Sequence, residues 1–347
     1  MAVNLQKMKA FDKAISFYVK AIEIDSYNKL PYAQLRHIPL AKENLDILIN
    51  CYLNVLKQQN NFPVVWNNLG DLLTQKGDIE QAMTCYQKAC YYKNILLLPE
   101  LQDLYLNTKK AKYPDFIIVG AGKCGTTSLY KYICKHPQVL EASTKEINFF
   151  NLNFGQGLDW YLSHFLTTEH KTGEASPRYF NNIKVIERIS HFLPKVKIII
   201  LLRNPVTRSI SLYYHQVRAG QEKRTLEEVI QSKIDLVNKI KNDNKLSEAS
   251  NFVDSIYVSS IRKWRNNFSD SQILILKTED LEANHDKTMT KTFDFLGLNN
   301  YPQSAIDDYQ KENVAQYPKI SQSIETRLIE LYKPFNEMLE AEIGINW

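Results

Sequence analysis

The sequence predicts an α/β domain, a parallel sheet flanked by helices, preceded by an all-α helical-repeat domain. Three observations lead there. From residue 116 onward, apolar runs rich in β-branched residues alternate with helical segments, the pattern of a parallel sheet covered on both faces. The first run ends in a glycine-spaced loop that carries a lysine and then enters a helix. Upstream, aromatic and small residues recur with a period of about 34 residues.

The repeat is clearest at Trp66, Leu69, Gly70, Gly77, Ala82, Tyr86 and Ala89. These positions follow the tetratricopeptide (TPR) pattern, in which small residues let two antiparallel helices cross closely and aromatics fill the groove between them. One period earlier lie Tyr32, Leu35, Leu48, Tyr52 and Val55, and another period earlier Ala14, Tyr18 and Ala21. Pro39 interrupts the first helix of the middle copy, and the earliest copy lacks a first helix of its own. The array is therefore expected to be short or irregular at that end. Such a module serves either as a platform for a protein partner or self-association, or as a buttress for the α/β domain. Leu98 to Leu106 is expected to add one more helix. The polar, basic, proline-broken stretch Asn107 to Pro114 then divides a repeat domain, residues 1–108, from a second domain, residues 114–347.

In the second domain, strands are expected at 116–119, 139–142, 172–175, 197–202 and 273–277. After the first of them, Gly120, Gly122 and Gly125 let the chain turn sharply and approach a ligand. Lys123 adds a charge, Thr126, Thr127 and Ser128 add hydroxyls, and the free N–H groups of the following helix point at any anion lodged there. A nucleotide triphosphatase loop, G-x-x-x-x-G-K-[ST], is not satisfied. Cys124 stands where the magnesium-binding hydroxyl belongs, and the upstream glycine is misplaced. The strand Lys197 to Leu202 runs into Arg203-Asn204-Pro205, not into an acidic metal partner. Two basic turns about eighty residues apart fit a nucleotide phosphorylated at both ends of its ribose. Ligands of open parallel sheets sit at the carboxyl ends of the strands, so the two turns are expected to converge on one crevice.

Composition bounds the remainder. With 347 residues, 44% hydrophobic and 23% charged, the chain has ordinary cores and is not a disordered one. A net charge of +5 is compatible with an anionic cofactor or an acidic glycan, and equally with a solvated lysine surface. Nothing in it calls for a nucleic-acid partner. The five cysteines (Cys51, Cys85, Cys90, Cys124, Cys134) show no metal-ligand or disulfide-framework spacing. No apolar run reaches membrane-spanning length and the N-terminus has no signal h-region. A reducing, cytoplasmic setting is expected.

Lys123-Cys-Gly-Thr-Thr-Ser-Leu129 resembles the phosphosulfate loop of sulfotransferases that use 3′-phosphoadenosine 5′-phosphosulfate (PAPS), and Arg203 to Ser211 resembles their 3′-phosphate motif. Leu129 to Pro137, Lys145 to Phe150, Gly173 to Phe180, Ile275 to Leu281 and Leu331 to Trp347 also resemble the heparan sulfate N- and 3-O-sulfotransferase branch, in the family's order. The resemblance covers residues 114–347 and implies a P-loop-like sulfotransferase fold. It implies that Lys123 contacts the bridging oxygen between phosphate and sulfonate, and that Cys124, Gly125, Thr126, Thr127 and Ser128 hold the 5′-phosphate. Arg203 and Ser211 are implied to grip the 3′-phosphate, with Arg208 either a rival contact or a solvent-facing helix residue.

By the same resemblance Glu146 is the catalytic base. Phe149 and Phe150 are expected to desolvate it and make it a better proton acceptor. His136 and His215 are expected to be structural, and Tyr257 and Trp264 to be core. The reading requires no metal. Two departures bear on the acceptor. A family lysine is replaced by Ala175, with Arg178 a candidate substitute, and the family's glycine-arginine loop is replaced by Gln316-Tyr-Pro-Lys319, with Lys319 a candidate. Residues 218–251, with a Thr225/Glu228 capping box, form an insertion that either shapes the acceptor entrance or is a solvated hairpin. The implied activity is direct, in-line transfer of sulfonate from PAPS to a hydroxyl or amine of a carbohydrate-like or other small acceptor, releasing adenosine 3′,5′-bisphosphate. The alternatives are a nucleotide-dependent kinase and a non-catalytic nucleotide-binding TPR scaffold.

Overall fold

The structure is a computed structural model that describes residues 1–103, 112–242, 253, 255–298 and 317–347. The chain divides into two compact units. The first comprises Met1–Pro114 together with Leu140–Ile147 and Phe154–Thr172, and the second comprises Asp115–Val139, Asn148–Asn153 and Gly173–Trp347. The expected boundary between 108 and 114 runs into residues 104–111, which lie outside the described ones.

The first unit is built on α1 (Ala2–Lys7), α2 (Phe11–Ile24), α3 (Lys29–Leu35), α4 (Lys42–Gln58), α5 (Pro63–Lys76) and α6 (Ile79–Ile95). The repeat positions Ala14, Tyr18, Tyr32, Leu35, Leu48, Tyr52, Val55, Leu69, Tyr86 and Ala89 are all buried. Gly70 shows why the pattern asks for a small residue. A Cβ there would lie 2.6 Å from Cε1 of Tyr86, so any side chain would push α5 off α6. The middle copy is cut short as expected, because α3 ends at Leu35, before Pro39. The earliest copy does have a first helix, the six-residue α1. Beyond α6 a short 3₁₀ turn, Pro99–Asp103, replaces the start of the expected additional helix.

Two segments from later in the sequence complete this unit, covering α6. Trp160, on α8 (Leu158–Leu162), packs edge-on against Tyr86 with ring centroids 5.4 Å apart and donates its indole N–H to Thr74 Oγ1 at 2.9 Å. His164 lies over the same tyrosine at 4.0 Å. Asn94 exchanges two hydrogen bonds with the backbone of Glu141, each 2.9 Å. A helix face that ends a repeat array is apolar by construction. Here it is closed by aromatic packing and backbone pairing.

The sheet has five strands: β1 (Phe116–Gly120), β2 (Val139–Glu141), β3 (Lys171–Ala175), β4 (Lys197–Leu202) and β5 (Ile273–Lys277), in the order β2-β3-β1-β4-β5. β1 pairs in parallel with β3 and β4, and β4 in parallel with β5. All five fall within a residue of their expected places. β1 is wholly buried, and in β4 only Lys197 is partly exposed, as befits strands covered on both faces. In the second unit, α7 (Thr126–Cys134), α9 (Ile183–Phe192), α10 (Pro205–Arg218), α11 (Leu226–Asn242), α12 (Val258–Asn267), α13 (Thr278–Ala283), α14 (His285–Leu296) and α15 (Gln322–Ile343) complete the layers. Tyr257 and Trp264 are core, 2% and 0% exposed. The Thr225/Glu228 capping box is formed, with Glu228 N–H donating to Thr225 Oγ1 at 3.3 Å and Thr225 N–H to Glu228 Oε2 at 2.7 Å. The far part of that insertion, 243–251, lies outside the described residues.

Candidate active site

β1 and β4 are parallel neighbours inside the sheet, so the turns that leave them start side by side at the strands' carboxyl ends. Ala121 N–H donates to Leu201 O at 2.8 Å, extending the pairing past the end of β1. Thr278, at the start of α13 and 5% exposed, places Oγ1 2.7 Å from Cys124 O and 2.8 Å from Leu202 O. One buried hydroxyl thus ties the lysine turn to the arginine turn. Around it, Tyr257 donates to Arg203 O at 2.7 Å, and Asn204 N–H donates to Glu279 Oε1 at 2.8 Å. Sequence reasoning assigned no role to Thr278 or Glu279. A hydroxyl and a carboxylate after a strand carry no local signal that distinguishes them from ordinary helix-start residues.

The lysine turn holds two left-handed residues, Lys123 at φ 68° and Gly125 at φ 84°. Glycine takes that conformation without cost, whereas an L side chain takes it at about 1 kcal/mol or more. Lys123 is therefore held where its backbone would not settle alone. Gly125 is also the cap of α7, and no side chain caps that helix start. α10 differs. Its cap, Asn204, accepts from the N–H groups of Val206 and Thr207 at 2.9 and 3.3 Å. The first turn therefore offers backbone donors to an anion, and the second offers side chains.

Those side chains are Arg203 and Ser211. Arg203 donates from Nε to Thr207 Oγ1 at 3.1 Å and reaches Lys123 O at 3.5 Å. Among the described residues neither Lys123 nor Arg203 has a carboxylate partner. Burial lowers the pKa of the half-buried Lys123, and the positive charges of Arg218 and Arg203 lower it further against an opposing contribution from Tyr317. Cations crowded and partly desolvated in this way are stabilised by a bound anion. Ser211, 2% exposed, has its hydroxyl 3.0 Å from that of Tyr317.

Several expected side chains have other duties. Cys124 is fully buried, with Sγ 3.9 Å from Tyr257 OH, and burial pushes its thiol pKa up. Thr126 and Ser128 are buried, so only Thr127 of the three hydroxyl residues is partly exposed. Arg208 is not solvent-facing: it is 5% exposed and donates to Gly122 O at 2.8 Å and Ser255 Oγ at 2.9 Å. It braces the glycine turn from beneath. Glu146 belongs to the first unit, where its side chain is 45% exposed and pairs with Lys145 at 2.9 Å. Phe149 and Phe150 are buried in the second unit, with Phe150 against Tyr179. The expected desolvation of Glu146 is corrected by that exposure.

Ala175 is buried in β3 beside Ile118 of β1, while Arg178 and Lys319 are exposed. His136 is buried and accepts from Gln138 N–H at 3.1 Å through Nδ1, a structural role. Glu174, 0% exposed, accepts from Ser176 Oγ at 2.5 Å and Tyr179 OH at 3.3 Å. Burial and the Glu174 charge hold the Tyr179 phenol well above its ordinary pKa, so it remains a donor. The donor set of the two turns fits a doubly anionic adenylate: a helix start with no side-chain cap beside a lysine, and an arginine with no carboxylate partner among the described residues beside a hydroxyl.

Comparison with known proteins agrees with this geometry. The sulfotransferase domain family matches residues 113–334, and the tetratricopeptide repeat family matches residues 1–28 and 64–95. The membrane-associated sulfotransferase kil1 of Dictyostelium discoideum is 27% identical, over 65% of this chain and 64% of its own. The bifunctional heparan sulfate N-deacetylase/N-sulfotransferase 1 of Homo sapiens is 32% identical over 54% of this chain. The chain spans less than two thirds of the length of these curated relatives, only 22% in the human protein. Among solved structures, a sulfotransferase from Alicyclobacillus acidocaldarius shares the fold at a TM-score of 0.53 and 24% identity, covering 68% of this chain and 98% of that one. With nearly two thirds of its length matched by the family and both strand-end turns inside the match, this chain belongs to the sulfotransferase domain family.

Proposed function

We propose that the chain transfers sulfonate from 3′-phosphoadenosine 5′-phosphosulfate to a hydroxyl or amine of a glycan or other carbohydrate-like acceptor. One observation supports the reading above others. Lys123 and Arg203 leave adjacent parallel strands, lack carboxylate partners among the described residues, and stand beside an uncapped helix start. When bound, the donor supplies a sulfonate activated by its phosphate leaving group.

In this reading Lys123 puts its charge where negative charge develops on the leaving oxygen, which stabilises the transition state more than the ground state. The backbone from Gly125 to Ser128 holds the 5′-phosphate, while Arg203 and Ser211 hold the 3′-phosphate. Glu146, which is exposed in the free protein, takes the acceptor's proton. A carbohydrate acceptor is supported by the heparan sulfate relatives named above, of which this chain spans a minor part. The TPR unit is proposed to bind a protein partner. Cytoplasmic residence stays part of the proposal on the cysteine pattern, and cell fractionation tests it.

Titration calorimetry with adenosine 3′,5′-bisphosphate against ATP is the decisive test. The bisphosphate is expected to bind preferentially, Lys123→Ala and Arg203→Ala to abolish binding or transfer, and Glu146→Gln to keep binding and lose turnover. Preference for ATP with magnesium returns the kinase alternative. Tight bisphosphate binding without transfer to any acceptor favours the scaffold.

A further inference from the structure

A cavity of about 340 Å³ opens beside β5, the last strand in the sheet order, and none of its lining residues belongs to the lysine turn or the arginine turn. Side chains alternate along a strand. Leu274 and Leu276 are buried, which leaves Ile275 and Lys277 half-exposed on the other face of β5. The second wall is α14. Its cap Asn284 and its residues Lys287, Thr288 and Lys291 line the cavity at i, i+3, i+4 and i+7, the spacing of one helix face. The third wall is the tail that Gly344, at φ 68°, turns out of α15. That tail is pinned. Asn346 donates to Glu340 Oε1 at 2.7 Å and its carbonyl accepts from Lys277 Nζ at 3.4 Å, while the Trp347 indole donates to Glu279 Oε2 at 3.0 Å. The walls are therefore fixed before a ligand arrives, which lowers the cost of binding one.

We propose that this cavity binds a monosaccharide-sized polyol carrying a negative group, a carboxylate, sulfate or phosphate. Three cations, Lys277, Lys287 and Lys291, face one carboxylate, Asp280, among the lining residues. Asp280 lies 3.7 Å from Lys277, whereas Lys287 and Lys291 have no ion pair among the described residues. Like charges four positions apart on a helix repel each other, and an anion seated between them relieves the repulsion. The volume stands at the low end of small-molecule sites, roughly 300–1,000 Å³, and suits a single ring. Ile275 and Ile345 offer apolar surface to the ring's C–H face. Asp280 favours a polyol over a bare anion, because a carboxylate repels the anion but accepts from ring hydroxyls. The Thr288 hydroxyl, in a residue 6% exposed, adds a second polar partner. The site shares no residue with the proposed donor site and goes beyond the transfer reaction.

Saturation-transfer NMR and calorimetry on the full chain test it, comparing glucuronate, glucose 6-sulfate and glucose 6-phosphate with glucose and with acetate, sulfate and phosphate ions. One acidic sugar or more is expected to bind about tenfold or more tightly than glucose and than its bare anion, and the best of the three identifies the negative group. The double variant Lys287→Gln/Lys291→Gln, checked for folding by thermal melts, is expected to lose about tenfold or more in that affinity, as for loss of hydrogen bonds to a charged group, and to keep its affinity for adenosine 3′,5′-bisphosphate. Asp280→Ala is expected to weaken the acidic sugar and to tighten the bare anion. Failure of all three acidic sugars to bind, glucose or a bare anion binding equally well, or unchanged affinity in the double variant overturns the assignment. Displacement of the acidic sugar by adenosine 3′,5′-bisphosphate overturns it too, and bisphosphate affinity measured alone tests the donor reading separately.

Discussion

Thr278→Val is the sharpest probe of how the two turns are held together. Valine keeps the shape of threonine and removes its hydroxyl, which in the protein lies 2.7 Å from Cys124 O and 2.8 Å from Leu202 O at a position 5% exposed. A hydroxyl has one proton, so the two contacts amount to one full hydrogen bond shared between two carbonyls. Removing a buried donor costs roughly 1–3 kcal/mol, because the acceptors keep their desolvation and lose their partner. For a unit of about 200 residues that is a fall in Tm of roughly 2–12 °C. The second consequence is functional. With the tie cut, the lysine turn and the arginine turn fluctuate independently, and a ligand that bridges them must restore the lost order. Calorimetry with adenosine 3′,5′-bisphosphate should show weakened binding alongside the lower melt, and Thr278→Ser should recover both. Wild-type melting and affinity in Thr278→Val, or failure of the serine variant to rescue, refutes the tie.

Two further outcomes stem from charge. Because burial and the neighbouring arginines hold the Lys123 pKa below its ordinary value, a bound anion raises it, and at alkaline pH below about 10 binding takes up protons. Calorimetric enthalpies in buffers of different ionisation heat should reveal the uptake; proton release, or none, contradicts the placement of Lys123 at the anion. In the first unit, burial, with a smaller push from Arg36, drives the His164 pKa down to about 3 from 6.5. The unfolded chain then binds a proton that the folded one refuses, so stability is lost as pH falls from 6.5 toward 3, by up to about 1.4 kcal/mol per pH unit. His164→Gln should flatten that slope in pH-dependent melts, and an unchanged slope would mean that other groups set it.

The five strands were legible because each is a short β-branched run that ends in a turn residue, and the repeat was legible because close helix crossing demands small residues at fixed spacing. Strand order was not, since periodicity says nothing about which strand lies beside which. The same gap hid Thr278, whose importance depends on β4 lying between β1 and β5. The bracing role of Arg208 was hidden for a related reason. Its sequence neighbours place it on a helix, but only the packing of α10 on the glycine turn turns it inward. Residues 140–147 and 154–172 read as parts of the second domain, and nothing local revealed that they pack with α6. Phe149 and Phe150 were correctly apolar, yet adjacency in sequence to Glu146 did not bring that carboxylate out of solvent.

The contrast between an open helix start at α7 and a closed one at α10 has an evolutionary consequence. Recognition by main-chain amides resists point substitution, so under the proposed reading a grip on the first phosphate would be inherited with the fold. Recognition by side chains is exchangeable one residue at a time, so the proposed second grip would be open to rebuilding while the first stays intact.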